Sequence, residues 1–402
     1  MGTDSDADAD ADPDLSRLDA LLDDRGMDGY LLDAASDSAD QYYLSGFDAP
    51  DPFVTLYDGA VHLLVARSLE YGRAKREARA ATVERDVDFG YGYGDLAEEH
   101  GPREARDRVL ARFLAAYGVE RVAVPPRFPV RTADGLRDRG VTVDAEDEGS
   151  LAEIRAIKTP AERDHVRETQ AANEAALARA EELLAGATVD DGELVHGGET
   201  LTSERVKEAI EIELLRHGCG LDDTIVACGA DAADPHDRGS GPLAAGEPII
   251  VDIFPRSKTT NYHADVTRTF CVGQPSETVR EWYDLTRTAQ DAALAAVEPG
   301  ATGADVHDAV CDVYEDAGLP TLRSDETAET GFIHSTGHGV GLEVHELPRV
   351  ASGGRTLQPG HVVTIEPGLY DPAVGGVRIE DLVVVTEDGH ENLTDYERRL
   401  EV

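Results

Sequence analysis

The chain reads as an α/β domain followed by a larger α+β unit, on three observations. To about residue 150, segments with apolar residues at helical spacing alternate with short strand-like runs. An acidic break from Ala145 to Gly149 then interrupts the pattern. Beyond it, a pair of helical segments followed by a block of strands occurs twice, which indicates two similar halves even though no residue-level self-similarity is visible. The expected division is an acidic disordered tail over 1–14, an N-terminal domain over 15–150 and a C-terminal domain over 151–402.

In the first domain the amphipathic stretch Leu15 to Arg25 predicts a helix, and Gly29-Tyr30-Leu31-Leu32 a strand. Val54 to Tyr57 and Val61 to Ala66 flank Asp58-Gly59 and predict a hairpin. Arg103 to Tyr117 is a helix, Arg121 to Val124 a strand ended by Pro125-Pro126, and Thr132 to Val143 a further helix-strand pair. Gly90-Tyr91-Gly92-Tyr93-Gly94 lacks the strand-to-helix setting of a phosphate loop and reads as a flexible aromatic loop. In the second domain Pro160 opens a helix to about Leu184 with Thr159 as its N-cap, because proline's fixed φ suits the first turn. Ser203 to His217, Glu277 to Val297 and Ala304 to Ala317 are the other helices. Strands fill Ile225 to Cys271 and the C-terminal stretch.

Asp and Glu number 81 against 37 Lys and Arg, a formal charge of −44 spread over every segment. Such a spread resembles the salt-adapted surface of proteins from halophilic archaea, where dissolved ions screen the self-repulsion. It argues against nucleic acid and anionic membrane as partners, since phosphate binding needs a basic stripe. No run approaches a membrane span, and Met1 to Asp14 lacks the basic-then-apolar order of a secretory leader, so a soluble, cytoplasmic protein is expected. Cys219, Cys228, Cys271 and Cys311 show neither close pairing nor zinc spacing and read as reduced structural thiols.

Chemistry concentrates in the second half, where Asp252, Asp265, His338, Glu366 and Glu380 follow one another. Asp252 stands in Ile249-Ile-Val-Asp-Ile-Phe254, Glu366 ends Val362-Val-Thr-Ile-Glu366, and Glu380 stands in a run expected as one strand from Val377 to Val385. Ionised carboxylates in buried apolar strands are normally paired or bound to metal. Four acids converging on one cavity repel one another unless cations neutralise them, and this donor set suits two divalent ions sharing bridging carboxylates. A hairpin between Asp252 and Asp265 would set the two aspartates opposite each other. His263, Asp265, Thr267 and Thr269 would share one face, with His263 as a neighbouring donor or edge residue and not a ligand.

His334-Ser-Thr-Gly-His338-Gly-Val-Gly-Leu-Glu-Val-His345-Glu346 is the densest histidine cluster, and its glycines permit close backbone approach. His345-Glu346-Leu347-Pro348-Arg349 lacks the second histidine of a zinc helix, and Pro348 breaks the turn, so that reading fails. Arg378, two residues before Glu380, faces the same side and can orient and partly neutralise that acid on the substrate side of the site. Asp381 points the other way and reads as a packing residue. His236 reads from its surroundings alone as an exposed loop residue.

Tyr43-Leu-Ser-Gly-Phe47, Ile154-Arg-Ala-Ile-Lys-Thr-Pro-Ala-Glu162, Asp265-Val-Thr-Arg-Thr-Phe270, Gly337-His-Gly-Val-Gly341, Glu366-Pro-Gly-Leu-Tyr370 and Arg378-Ile-Glu-Asp381 together resemble the motifs of the pita-bread metallopeptidases, the family of prolidase and aminopeptidase P. The resemblance covers nearly the whole chain. It implies a creatinase-like α/β N-terminal domain, an α+β pita-bread catalytic domain and a homodimer. It also implies two divalent ions, manganese or cobalt, held by Asp252, Asp265, His338, Glu366 and Glu380. It assigns His236 to the substrate side, His345 to the tetrahedral intermediate, His334 to the proline pocket and Arg349 to the proline carboxylate. Glu366 would also move the proton.

The separation of Asp252 and Asp265 is two positions longer than the family's usual spacing, and Ile253-Phe254-Pro255 replaces the common residues there. An even number of added residues preserves strand parity, so the site is expected to survive while Phe254 to Asn261 reshapes the substrate entrance. The expected reaction is hydrolysis of an N-terminal Xaa-Pro bond in a small peptide. The alternatives are a pita-bread aminopeptidase or C–N hydrolase without proline preference, and an inactive binding protein. No ligand of the metal set is lost, which disfavours the last of these.

Overall fold

The computed structural model describes residues 13–65, 68–90, 92–147 and 149–402. Most of the expected acidic tail, Ala66 and Tyr91 lie outside the described residues. Two compact units divide between Arg155 and Ala156.

The N-terminal unit is built on one mixed sheet. Gly29–Ala34 pairs antiparallel with Phe53–Tyr57, which forms a hairpin with Val61–Leu64, Tyr57 opposite Val61. Thr82–Glu84 joins parallel to Val61–Leu64 at one edge, and Arg121–Val124 with Thr142–Ala145 extends the other side in parallel. Helix Pro102–Ala116 packs Val109, Leu110, Phe113 and Leu114 onto Leu31, Leu56 and Val122 of the sheet. The aromatic glycine stretch differs from expectation. Gly90 closes a 3₁₀ turn at φ 93°, and Tyr93 begins a helix, Tyr93–His100. Gly90 and Gly92 act as boundary residues, with Gly92 extended at the N-cap.

The C-terminal unit repeats one plan. Helix Pro160–Ala185 opens with a capping box in which Thr159 Oγ1 accepts from Glu162 N (3.3 Å) and Glu162 Oε2 accepts from Thr159 N (2.7 Å). With helix Ser203–Arg216 it covers the antiparallel sheet of Thr224–Cys228, Ile249–Ile253 and Val266–Phe270. Helices Glu277–Ala296 and Gly303–Asp316 follow, capped by Ser276 and Thr302. They cover a second sheet, ordered Glu346–Val350, Gly337–Gly339, Val362–Ile365, Asp381–Val385, His390–Asn392.

Two expectations need correction. The run from Val377 to Val385 is two strands. Gly375–Arg378 pairs with Gly368–Asp371, whereas Asp381–Val385 pairs with Val362–Ile365. The break falls at Ile379-Glu380, where Glu380 N donates to Thr267 O of the first sheet (3.0 Å) and draws the chain across. The aspartates, in turn, are not directly opposite. Asp252 faces Thr267, and Asp265 precedes that strand, so the two acids are diagonal neighbours. The long connection is also no simple hairpin, because Arg256–Ser257 leaves to pair with Cys219–Gly220.

Candidate metal centre and active site

Alternation along four strands builds the site. On Ile249–Ile253, residues Ile249, Val251 and Ile253 enter the core under the first helix pair, which leaves Asp252 on the other face. Val266 and Phe270 do the same and leave Asp265, Thr267 and Thr269 opposite. Val363 and Ile365 enter the second helical core, leaving Thr364 and Glu366, and Val377 and Ile379 are buried so that Arg378 and Glu380 face the site. A run that looks uniformly apolar therefore presents its polar residues together on one side of the sheets.

These residues converge. Ligand atoms of Asp265, His338 and Glu380 lie within 4.8 Å of one another. His338 Nε2 is 3.4 Å from Glu366 Oε1 and 3.8 Å from Asp265 Oδ2. Thr267 Oγ1 donates to Glu380 Oε2 (2.6 Å) and Thr364 Oγ1 to Glu366 Oε1 (3.2 Å). Arg378, expected to steady Glu380, instead makes its ion pair with Asp252, Nη2 to Oδ2 at 2.6 Å. The Arg378 guanidinium reaches Asp252 across the two sheets, whereas Glu380 takes its hydrogen bond from Thr267. Asp381 points away and pairs with buried Arg268 at 2.8 Å.

Burial raises the Asp265 and Glu380 carboxyls well above the usual carboxylate range, and repulsion from the neighbouring acids adds to it. Glu366 is pushed up to about 8, again by burial first, with Arg378 and Thr364 opposing and Asp252 adding. His338 is held down to about 4, by burial and then by His345.

The donor set fits divalent cations. His338 Nδ1 lies 3.0 Å from Gly339 O, and a carbonyl only accepts, so Nδ1 carries the hydrogen and Nε2 its lone pair. That lone pair faces carboxylate oxygens, an arrangement that is favourable only with a cation between them. Asp252 Oδ1 and Asp265 Oδ1 are buried without a hydrogen-bond partner among the described residues, which adds two oxygens needing positive charge.

A second chain of contacts flanks the acids. His334 Nδ1 donates to Ser335 O (2.7 Å), so Nε2 accepts from Tyr370 Oη (2.9 Å), and Tyr370 Oη in turn accepts from Arg378 Nη1 (2.9 Å). Burial and then Arg378 hold His334 down to about 3, so the ring is neutral. Arg378 Nη1 also reaches Pro235 O (3.3 Å), which brings the exposed His236 loop to the site's edge. His345 packs against His338 with ring centroids 4.2 Å apart and the ring planes tilted by 59°. Its pKa is lowered by burial and then by His236, with Asp252 opposing and Arg349 adding. Arg349 is exposed on Glu346–Val350.

Sequence reasoning missed three supports: Tyr370, Thr364 and the ion pair Lys158–Glu346. The first two were signalled only by sharing strand faces with Arg378's neighbours and Glu366. Lys158 Nζ and Glu346 Oε2 are 2.9 Å apart with side chains 1% and 3% exposed, and Glu346 Oε1 accepts from Glu343 N. This pair secures the loop that carries His345. Nothing in the local pattern joins residues so distant in the chain.

Residues 164–387, more than half of the chain, match the model of Metallopeptidase family M24, and residues 15–157 match the Creatinase/Prolidase N-terminal domain. An Xaa-Pro dipeptidase of Pyrococcus furiosus is 35% identical over a match that spans 62% of this chain and 66% of that one. An Xaa-Pro dipeptidase of Pyrococcus horikoshii is 29% identical over 89% of this chain and 91% of its own. The crystal structure of the prolidase from Pyrococcus horikoshii superposes with a TM-score of 0.76 at 27% identity, covering 96% of this chain and 99% of that chain. The chain therefore belongs to metallopeptidase family M24, a peptidase that uses divalent metal and joins a creatinase-like N-terminal domain to a pita-bread catalytic domain.

Proposed function

We propose that this protein hydrolyses the bond between an N-terminal residue and a following proline, with Asp252, Asp265, His338, Glu366 and Glu380 holding two divalent ions, manganese or cobalt. The observation that carries this reading is the convergence of four carboxylates and one neutral imidazole around unsatisfied buried oxygens. When bound, such ions acidify water and polarise a carbonyl. Glu366, with Oε1 3.4 Å from His338 Nε2, is placed to accept the proton of the attacking water and pass it to the leaving nitrogen. The water oxygen bonds to the carbonyl carbon, the C–N bond breaks, and proline leaves with that proton on its nitrogen. A proline nitrogen is tertiary in the substrate and has no proton of its own, so this delivery is essential.

His345, neutral and beside His338, donates an N–H to the oxygen that gains charge at the carbonyl. His334 offers a neutral ring, held edge-to-face against Phe332 with centroids 5.1 Å apart, to the proline ring. Arg349 and His236 stand at the edge to meet the substrate's polar groups, and Arg378 steadies Asp252. A cytoplasmic homodimer belongs to the same reading. Among the described residues no helix is long and apolar enough to cross a membrane.

The test is turnover of Xaa-Pro dipeptides, longer Xaa-Pro peptides, matched Xaa-Ala peptides and creatine, in high salt with added Mn²⁺ or Co²⁺. Preferential release of the N-terminal residue from the proline peptides is expected. Equal turnover of Xaa-Ala peptides would overturn the proline specificity, and no peptide turnover with either ion would overturn the activity.

A further inference from the structure

A cavity of about 400 Å³ opens beside the metal centre, walled by the end of helix Ser203–Arg216, by Gly220 to Asp222, by the connection after Ile253 and by Val344. It adjoins both segments that carry the substrate-side histidines. Val344 precedes His345, and Phe254 lies against the guanidinium of Arg238 at 5.7 Å, two residues after His236. His263, two residues before Asp265, forms part of its wall, and its Nδ1 is buried without a hydrogen-bond partner among the described residues. Arg256 and Lys258 also line the cavity. In a chain with 81 acids and 37 bases, neither makes an ion pair with a carboxylate among the described residues, while Arg238 beside them does.

We infer that this cavity is a subsite for the tail of a peptide longer than a dipeptide, with Arg256 and Lys258 receiving its terminal carboxylate; the inference rests on the proposed peptidase activity. Glu211 and Asp222 also line the cavity, which excludes a compact dianion such as phosphate and suits a chain whose N–H groups can meet those acids. Leu215, Leu221 and Phe254 supply apolar surface for side chains, and the His263 Nδ1 supplies a polar contact for the tail's backbone. The connection from Phe254 to His263 would then set length preference by placing two free cations at a fixed reach from the scissile bond.

The experiment is a ladder of Xaa-Pro peptides extended by zero to four alanines, each as free acid and as C-terminal amide, with kcat/KM measured on the ion-loaded protein and on an R256Q/K258Q variant. At one length the free acid is expected to exceed its amide about fivefold, the size of a partly exposed charge interaction, and the ratio should fall to about one in the variant. It should also shrink as salt is raised, because exposed charges are screened. An amidated peptide ending in Glu separates a side-chain carboxylate from the terminal one. A ratio near one at every length, or a ratio that survives in the variant, would overturn the subsite. If no Xaa-Pro peptide is hydrolysed, the activity proposal fails by itself. Calorimetric binding of the four-alanine acid and amide to the same two proteins then decides the subsite by the same ratio.

Discussion

Arg268 ties together the two sheets that carry the ligands, and its loss should be felt in both stability and metal binding. It is 1% exposed and makes five hydrogen bonds. Nη1 reaches Thr267 O (3.0 Å) and Glu380 O (2.6 Å), Nη2 reaches Asp381 Oδ1 and Tyr396 O (both 2.8 Å), and Nε reaches Glu397 O (3.3 Å). Arg268→Leu leaves Asp381, 4% exposed, as a buried charge held, among the described residues, only by Asn392 Nδ2. Breaking a buried pair in this way costs about 3–5 kcal/mol, a large part of the roughly 5–15 kcal/mol by which domains are ordinarily stable. The assay is urea unfolding followed by Trp282, the one tryptophan, which sits on helix Glu277–Ala296 and packs against the cores of the catalytic unit. The R268L/D381L double variant removes the orphaned charge and should recover most of the loss. It should not recover metal affinity, which is expected to fall about tenfold in both variants because Thr267 and Glu380 lose their common anchor. An R268L midpoint within about 1 kcal/mol of wild type, or unchanged ion affinity, would refute the reasoning.

Asp265→Asn or Glu380→Gln should abolish metal-dependent turnover with circular dichroism unchanged; normal activity in either would contradict the ligand assignment. Tyr370→Phe removes the hydroxyl between Arg378 and His334, leaving His334 Nε2 without its donor, and is expected to raise KM about tenfold with a smaller change in kcat. An unchanged KM would count against the proline-pocket role. Stripping the ions with a chelator should make the protein less stable as pH rises. Glu366 titrates near 8 when folded and near 4.5 when unfolded, so its contribution is full below about 4.5 and is lost as pH rises through 8. The gap in melting temperature between ion-loaded and chelated protein should therefore widen across that window, and a gap independent of pH would sink the electrostatic account.

The fold was legible wherever local chemistry decides it. Thr159-Pro160 placed the start of helix Pro160–Ala185 because proline and a capping hydroxyl act within one turn. The Asp58-Gly59 hairpin was readable because its turn is set by adjacent residues. What failed depended on partners far along the chain. The break at Ile379-Glu380 comes from a hydrogen bond to Thr267, and the departure of Arg256–Ser257 from a simple hairpin comes from pairing with Cys219–Gly220. The four acids were likewise readable one at a time, as charges in apolar runs, and the imidazole from its glycine-rich cluster. The choice between Asp252 and Glu380 as Arg378's partner was not, because both share its general side of the sheet and only the packing of two sheets decides between them.

The division of the ligands between the repeated halves explains why such strongly repelling acids can be held in place. Asp252 and Asp265 come from the first strand block, and His338, Glu366 and Glu380 from the second. Each block is fixed from behind by its own helix pair and core, so neither can relax by spreading its own acids apart. The blocks meet through Thr267 to Glu380, Arg268 to Asp381 and Arg378 to Asp252, three contacts that each join one half to the other. Repulsion among the carboxylates therefore acts against this seam and not within either sheet. Bound cations would reverse that repulsion at the same place, so metal loading and the docking of the two halves should be coupled. Loosening the seam at Arg268 should lower ion affinity even though that residue touches no ion, and chelation should in turn increase hydrogen exchange first at the amide of Glu380, which bonds across the seam.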